Sequence, residues 1–98
     1  MYTPVYHRFF KKDIQRDKNS GKFSLEDFAT LKDVMSVLIN GKVLDEKYKN
    51  HTLGGEWHGT FECHIKNDWL LVYAVYVKSN EIVFLRLGTH AQIFKKFK

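Results

Sequence analysis

The stretch GEWHGTFECHIKNDWLLVY, Gly55 to Tyr73, changes character halfway along, and its reading decides the fold. From Trp57 to Ile65 apolar and polar residues alternate. Trp57, Phe61, Cys63 and Ile65 are expected on one face of a strand, and His58, Thr60, Glu62 and His64 on the other. Lys66-Asn67, with or without Asp68, suits a tight hairpin turn. Trp69 to Val77 is apolar on both faces, as a central strand would be. After the polar break Lys78-Ser79-Asn80, Glu81 to Leu87 reads as a further strand closed by Gly88, so the hairpin grows into a three-stranded meander.

Upstream, Tyr2 to Tyr6 reads as a short strand. Pro4 restricts it to an edge or a strand start, because proline has no N–H for the ladder. His7 to about Lys18 turns helical, with Phe10 and Ile14 one turn apart, and Asn19-Ser20-Gly21 stops it. Ser24 followed by Glu26 and Asp27 is an N-cap with acidic residues where the helix dipole is positive. Leu25, Phe28, Leu31, Met35 and Leu38 then recur at helical steps until Asn40-Gly41. Lys42 to Gly55 has no clear period and is expected to be a loop with one short turn. The order predicts an α+β fold in one domain over residues 1–98, with two N-terminal helices packed on one face of a mainly antiparallel sheet.

The chain's 98 residues give room for one compact core, and the apolar content can build it without disulfide support. Sixteen basic against eleven acidic residues leave a formal +5, which fits an anionic partner without choosing among nucleic acid, membrane surface and acidic protein. The first twenty residues show no secretory pattern, and the longest apolar run, Trp69 to Val77, is far short of the ~20 residues of a membrane helix, so a cytoplasmic location with no membrane partner is expected. Cys63 has no second cysteine to pair with and shares the parity of the apolar positions, which marks it as core filler.

Several motifs reinforce one another. KYKNHTLGGEWHGTFECHIKNDWLLVY, carrying a loop histidine, a G-x-W-x-G strand entry and H-x-x-x-D-W at the hairpin, is followed by LRLGTHAQIF with its R-x-G-T-H. From about Lys47 to Phe94 the chain resembles the YafQ-type branch of the RelE/ParE superfamily of bacterial toxin–antitoxin systems. The resemblance implies a RelE-like fold and a ribosome-associated endoribonuclease that cuts translated mRNA. It further implies a cognate antitoxin, acidic, partly disordered and inhibitory, with DNA met only indirectly through the antitoxin complex. Carried over by position, the functional residues fall on His51, His64, Asp68, Trp69, Arg86, His90 and Phe94. His58, Phe61 and Asn67 depart from residues common in the family, while the acid–base set stays whole.

That set suits RNA, whose 2′-hydroxyl is a nucleophile already beside each phosphate. An enzyme need only remove its proton, hold the attack in line, stabilise charge on phosphorus and protonate the 5′-oxygen. Histidine serves either proton transfer near neutral pH, and arginine offers a fork matched to phosphate. His90 is therefore expected to protonate the leaving oxygen and Arg86 to take the phosphate charge. Asp68 and His64 are expected on the opposite side, one drawing the 2′-proton and the other orienting it. His51 would position phosphate or assist, Trp69 or Phe94 would stack on a base, and Lys95 and Lys96 in the basic tail would touch phosphate. No cofactor is expected: His58 and His64 lie too far apart along one strand for a single ion, and no short metal-ligand spacing occurs.

Each residue also has an ordinary reading: a hydrogen-bonded strand histidine at His64, a turn cap at Asp68, a surface ion pair at Arg86, core packing at Trp69 and Phe94, and a cross-strand ion pair at Glu62. Two functional rivals remain at this level, a non-catalytic gyrase-targeting toxin of the ParE kind and an RNA-binding module without cleavage. Cleaved ends carrying a 2′,3′-cyclic or 3′-phosphate separate the endonuclease from both.

Overall fold

The computed structural model describes residues 1–94; Lys95 and Lys96 lie outside the described residues. The chain runs β1 (Thr3–Tyr6), α1 (Arg8–Ser20), α2 (Leu25–Ile39), β2 (His51–Thr52), β3 (Phe61–Lys66), β4 (Trp69–Tyr76), β5 (Glu81–Gly88) and α3 (His90–Phe94). The strands form one sheet in the order β1-β5-β4-β3-β2, antiparallel except where β1 runs parallel to β5.

Both long helices cover one face. Phe10 of α1 and Leu31, Val34 and Leu38 of α2 close over Cys63, Leu71, Tyr73, Ile82, Phe84 and Leu87. Burial of this kind is the main stabilising term, at roughly 25 cal/mol per Å² of apolar surface. Local chemistry fixes where α2 starts: the Ser24 hydroxyl accepts from Asp27 N at 3.0 Å, and the Asp27 carboxylate accepts from Ser24 N at 2.9 Å, a reciprocal capping box. The opposite face carries a smaller cluster in which Leu70 and Val72 meet Ile93 of α3, flanked by Leu53, Trp57, Leu85 and Phe94.

Three features depart from the sequence reading. A 3₁₀ turn at Gly55–Trp57 and a left-handed Gly59 (φ 92°) delay β3 until Phe61. The turn breaks the alternation, so Trp57 joins the small cluster on the face opposite Cys63 and Ile65. The stretch read as loop contains the two-residue strand β2, too short to show a period, which places His51 opposite Glu62. The helix α3 was not expected, although Thr89-His90-Ala91-Gln92 is a reciprocal capping signature: Thr89 N donates to Gln92 Oε1 at 2.9 Å, and Gln92 N to Thr89 Oγ1 at 3.1 Å.

An irregularity in β5 matters for the site. Tyr73 pairs with Phe84 but Val72 pairs with Arg86, so Leu85 is an extra residue, a β-bulge. It flips the parity of the strand. Ile82 and Phe84 face the helices, and after the bulge Leu87 does so, leaving Arg86 on the face of Val72.

Past Phe84, β1 no longer covers the edge of β5, and α1 takes over. Leu87 N donates to Asp13 Oδ2 at 2.9 Å, and Leu87 O accepts from Arg16 Nη2 at 2.8 Å. Two helix side chains thus satisfy the backbone groups that a neighbouring strand would have paired, as buried peptide groups require.

Candidate active site

Four strands contribute one row across the uncovered face: His51 opposes Glu62, Glu62 opposes Val72, and Val72 opposes Arg86. In the next row His64 opposes Leu70, and Leu70 opposes Gly88, just ahead of α3 and His90. Leu70 and Val72 are the apolar floor under these polar groups.

Glu62 lies at the centre, its side chain only 4% exposed. One oxygen, Oε1, is 3.2 Å from His51 Nε2 and 3.3 Å from His64 Nε2. The other nitrogen of His51 lies 2.6 Å from Lys49 O, so it donates to that carbonyl when protonated there. Glu62 therefore does more than make a cross-strand pair: it ties a histidine of β2 and a histidine of β3 to a single buried carboxylate.

His90 and Asp68 form a second, more exposed unit. Asp68 Oδ1 accepts from His90 N at 2.9 Å and lies 2.9 Å from His90 Nδ1. The His90 backbone N–H, and then its imidazole, hold the Asp68 carboxyl below the ordinary carboxylate range. An ionised Asp68 fixes Nδ1 as the protonated nitrogen and leaves Nε2 for exchange. The two units adjoin, with the rings of His64 and His90 in an edge-to-face arrangement and centroids 5.8 Å apart.

The structure thus brings His51, His64, Asp68 and His90 together, with one rearrangement of the expected roles. Asp68 does not stand opposite His90 beside His64; it is bonded to His90 itself. Arg86 shares the face by register, but Asp13 Oδ2 accepts from its Nε at 2.8 Å and Asp13 Oδ1 from its Nη2 at 3.2 Å.

Trp69 is the clear correction. At 1% exposure it is core: its ring stacks on Phe23 at 4.1 Å, meets Phe28 edge-on at 5.3 Å, and its Nε1 donates to Asp17 Oδ2 at 2.8 Å. A ring so enclosed has no face for a base. Phe94 is partly exposed, edge-on to Trp57 at 5.4 Å and 6.1 Å from the His90 ring, beside the site. The expectation for Lys95 and Lys96 falls outside the described residues.

Sequence reasoning missed Asp13, Arg16 and Asp17, an ionic group on α1 in which both carboxylates are buried and the arginine is partly exposed. The available signal was Phe10, Asp13 and Asp17 at three- and four-residue steps, which puts two carboxylates on the buried stripe of the helix.

A cavity of about 330 Å³ opens beside His64, lined by Lys47, Tyr48, Lys49 and Lys66 among others. Two larger ones, about 510 and 460 Å³, lie on the helix side and include none of the site residues. The convergence of titratable groups, not cavity size, marks this face as the candidate site.

One ligand atom each from Glu62, His64 and His90 lie within 4.8 Å of one another. Two imidazoles and a carboxylate suit a borderline divalent ion such as copper or zinc. The carboxylate that joins the two imidazoles there is Glu62.

A family model described as the bacterial toxin of type II toxin–antitoxin systems, YafQ, matches residues 2–95. The mRNA interferase toxin YafQ of Escherichia coli K12 is 38% identical over 92 residues, covering 83% of this chain and 98% of that protein. A copper-bound mutant toxin from Helicobacter pylori superposes with a TM-score of 0.86 at 34% identity, over 96% of this chain and 100% of that one. The toxin in the E. coli DinJ-YafQ toxin–antitoxin complex superposes with a TM-score of 0.81 at 32% identity, over 95% of this chain and 97% of that one.

Proposed function

Because this chain belongs to the YafQ family of type II toxin–antitoxin toxins, we propose that it is an mRNA interferase, an endoribonuclease that cuts translated message on the ribosome by acid–base chemistry. The observation that carries the reading is the abutment of two differently wired histidine units, Glu62–His64 and Asp68–His90, across 5.8 Å.

His64, steadied by the buried Glu62 charge, draws the 2′-proton. His51 shares that charge and helps to hold the phosphate. His90, oriented by Asp68, protonates the 5′-oxygen from Nε2. Two histidines with separate carboxylates divide the base and acid roles as cleavage through a cyclic phosphate requires. Arg86 takes the charge that builds on phosphorus. Phe94 offers an aromatic surface to a neighbouring base, and the lysines beside His64 a path for the backbone. An ion held on Glu62, His64 and His90 would act there as a Lewis acid, while occupying nitrogens that the proton transfers need.

The partner is an antitoxin, as in the E. coli complex, and an acidic chain suits a protein of net charge +5. Among the described residues no helix is long and apolar enough to cross a membrane, which fits the proposed cytoplasmic site of action.

The test is cleavage of message in a reconstituted translation reaction. Wild-type protein should leave 2′,3′-cyclic or 3′-phosphate ends, and folded His90→Ala and Arg86→Ala variants should lose most of that activity. Wild-type rates in both variants would refute the mechanism, and an intact message would leave only binding. Cleavage should persist in excess EDTA; activity that vanished with chelation and returned with copper or zinc would replace the acid–base reading by a metal-assisted one.

A further inference from the structure

We infer that Asp13, on α1 and outside the histidine cluster, is the positioning residue for Arg86: it holds the guanidinium by one edge and so sets which edge meets the phosphate. The inference rests on the proposed role of Arg86.

Asp13 is 4% exposed and its carboxylate is saturated. Oδ2 accepts from Arg86 Nε and from Leu87 N, and Oδ1 accepts from Arg16 Nη1 at 2.8 Å and from Arg86 Nη2 at 3.2 Å. Both oxygens are thereby anchored to the backbone of β5 and to a second arginine of α1. That arginine is itself fixed, since Arg16 also donates to Asp17 and to Leu87 O. The carboxylate has no freedom to follow a moving guanidinium.

Arginine presents its donors along two useful edges, one formed by Nε and one terminal nitrogen, the other by the two terminal nitrogens. Asp13 occupies the first. Among the described residues no hydrogen-bond partner takes the second, and it is the edge that grips two phosphate oxygens end-on. Phe9 limits the remaining swing, its ring centroid lying 5.9 Å from Arg86 Cζ. The Leu85 bulge brings Arg86 to the face of Glu62, and Asp13 at the strand edge holds the side chain in place.

The pair also has a structural task, because the same carboxylate satisfies the edge of β5. A double-mutant cycle separates the two. In single-turnover cleavage of ribosome-bound message, Asp13→Asn should lower kcat about 10- to 100-fold, the scale of a misaligned catalytic group, with KM nearly unchanged. Asp13→Asn combined with Arg86→Ala should be no slower than Arg86→Ala alone. Val34→Ala, which loosens the helix-facing core without touching Arg86 or the groups that anchor Asp13, should lower the unfolding midpoint while sparing kcat.

A wild-type kcat in Asp13→Asn, or a double mutant slower by the full single-mutant factor, would overturn positioning while leaving Arg86 catalytic. Wild-type cleavage by Arg86→Ala would instead remove the role of Arg86 on which the inference stands. If Asp13→Asn does not fold, Arg86→Lys carries the test: lysine keeps the charge but lacks the Nε edge, so it should be as slow as Arg86→Ala, and a wild-type rate would overturn the proposal.

Discussion

Glu62 shows how much one buried charge can organise. A carboxylate at this depth is costly unless its lone pairs are used, and two imidazoles from different segments use them. Glu62→Gln keeps the shape and removes the charge, so cleavage should fall at least ten-fold while the fold survives, measured by rate and by circular dichroism. Its neighbour Cys63 points to the other face and is chemically silent. Burial first, with the Glu62 charge adding to it, pushes that thiol up to about 12. Native protein should therefore resist iodoacetamide at neutral pH and react only once unfolded; rapid labelling of folded protein would contradict the burial. Gly88 is constrained by proximity, since a Cβ there would come within 2.7 Å of Gln92 Oε1 and 2.8 Å of Arg16 Nη2. Gly88→Ala should disturb the α3 cap and the strand edge together, lowering both stability and cleavage.

Elements were legible in the sequence where one period governed them, and obscure where two rules met. α2 could be read from its stripe and cap, and β4 from its continuous apolar run, because packing on helix and sheet imposes those patterns directly. The parity of β5 was hidden, since the bulge at Leu85 lets a helix-facing set begin on even positions and end on Leu87. The candidate residues His51, His64, Asp68 and His90 were visible as motif members, but their pairing was not: whether Asp68 serves His64 or His90 depends on the path of α3. Trp69 was misjudged because an aromatic at a hairpin looks the same in sequence whether it faces solvent or Phe23. Trp69→Ala should cost about 3–5 kcal/mol. Asp17→Ala, which strands the indole N–H and frees Arg16, should cost about 1–3 kcal/mol. Urea unfolding measures both, and losses well below these ranges would mean that the aromatic layer relaxes around the change.

For the molecule as a whole, the pH dependence of stability has a direction that can be worked out. Tyr73, buried and close to Cys63, is pushed up to about 12 despite its bond to Asn50. Both Tyr73 and Cys63 have folded values above their ordinary ones. Their contribution is whole below pH 9.0, where an unfolded thiol begins to ionise, and is lost as pH climbs toward about 12. Asp68 and Asp27 run the other way: their values are lowered, so their contribution holds above the ordinary 3.8 and disappears in stronger acid. Thermal midpoints should therefore fall at both extremes. The parallel seam between β1 and β5 has a temporal consequence. On a ribosome β1 must wait for β5 to be made before it can pair, and His90 follows β5. A nascent copy therefore holds His51 and His64 without His90 beside them until the residues beyond β5 have been made, so the proposed cleavage can start only after that point.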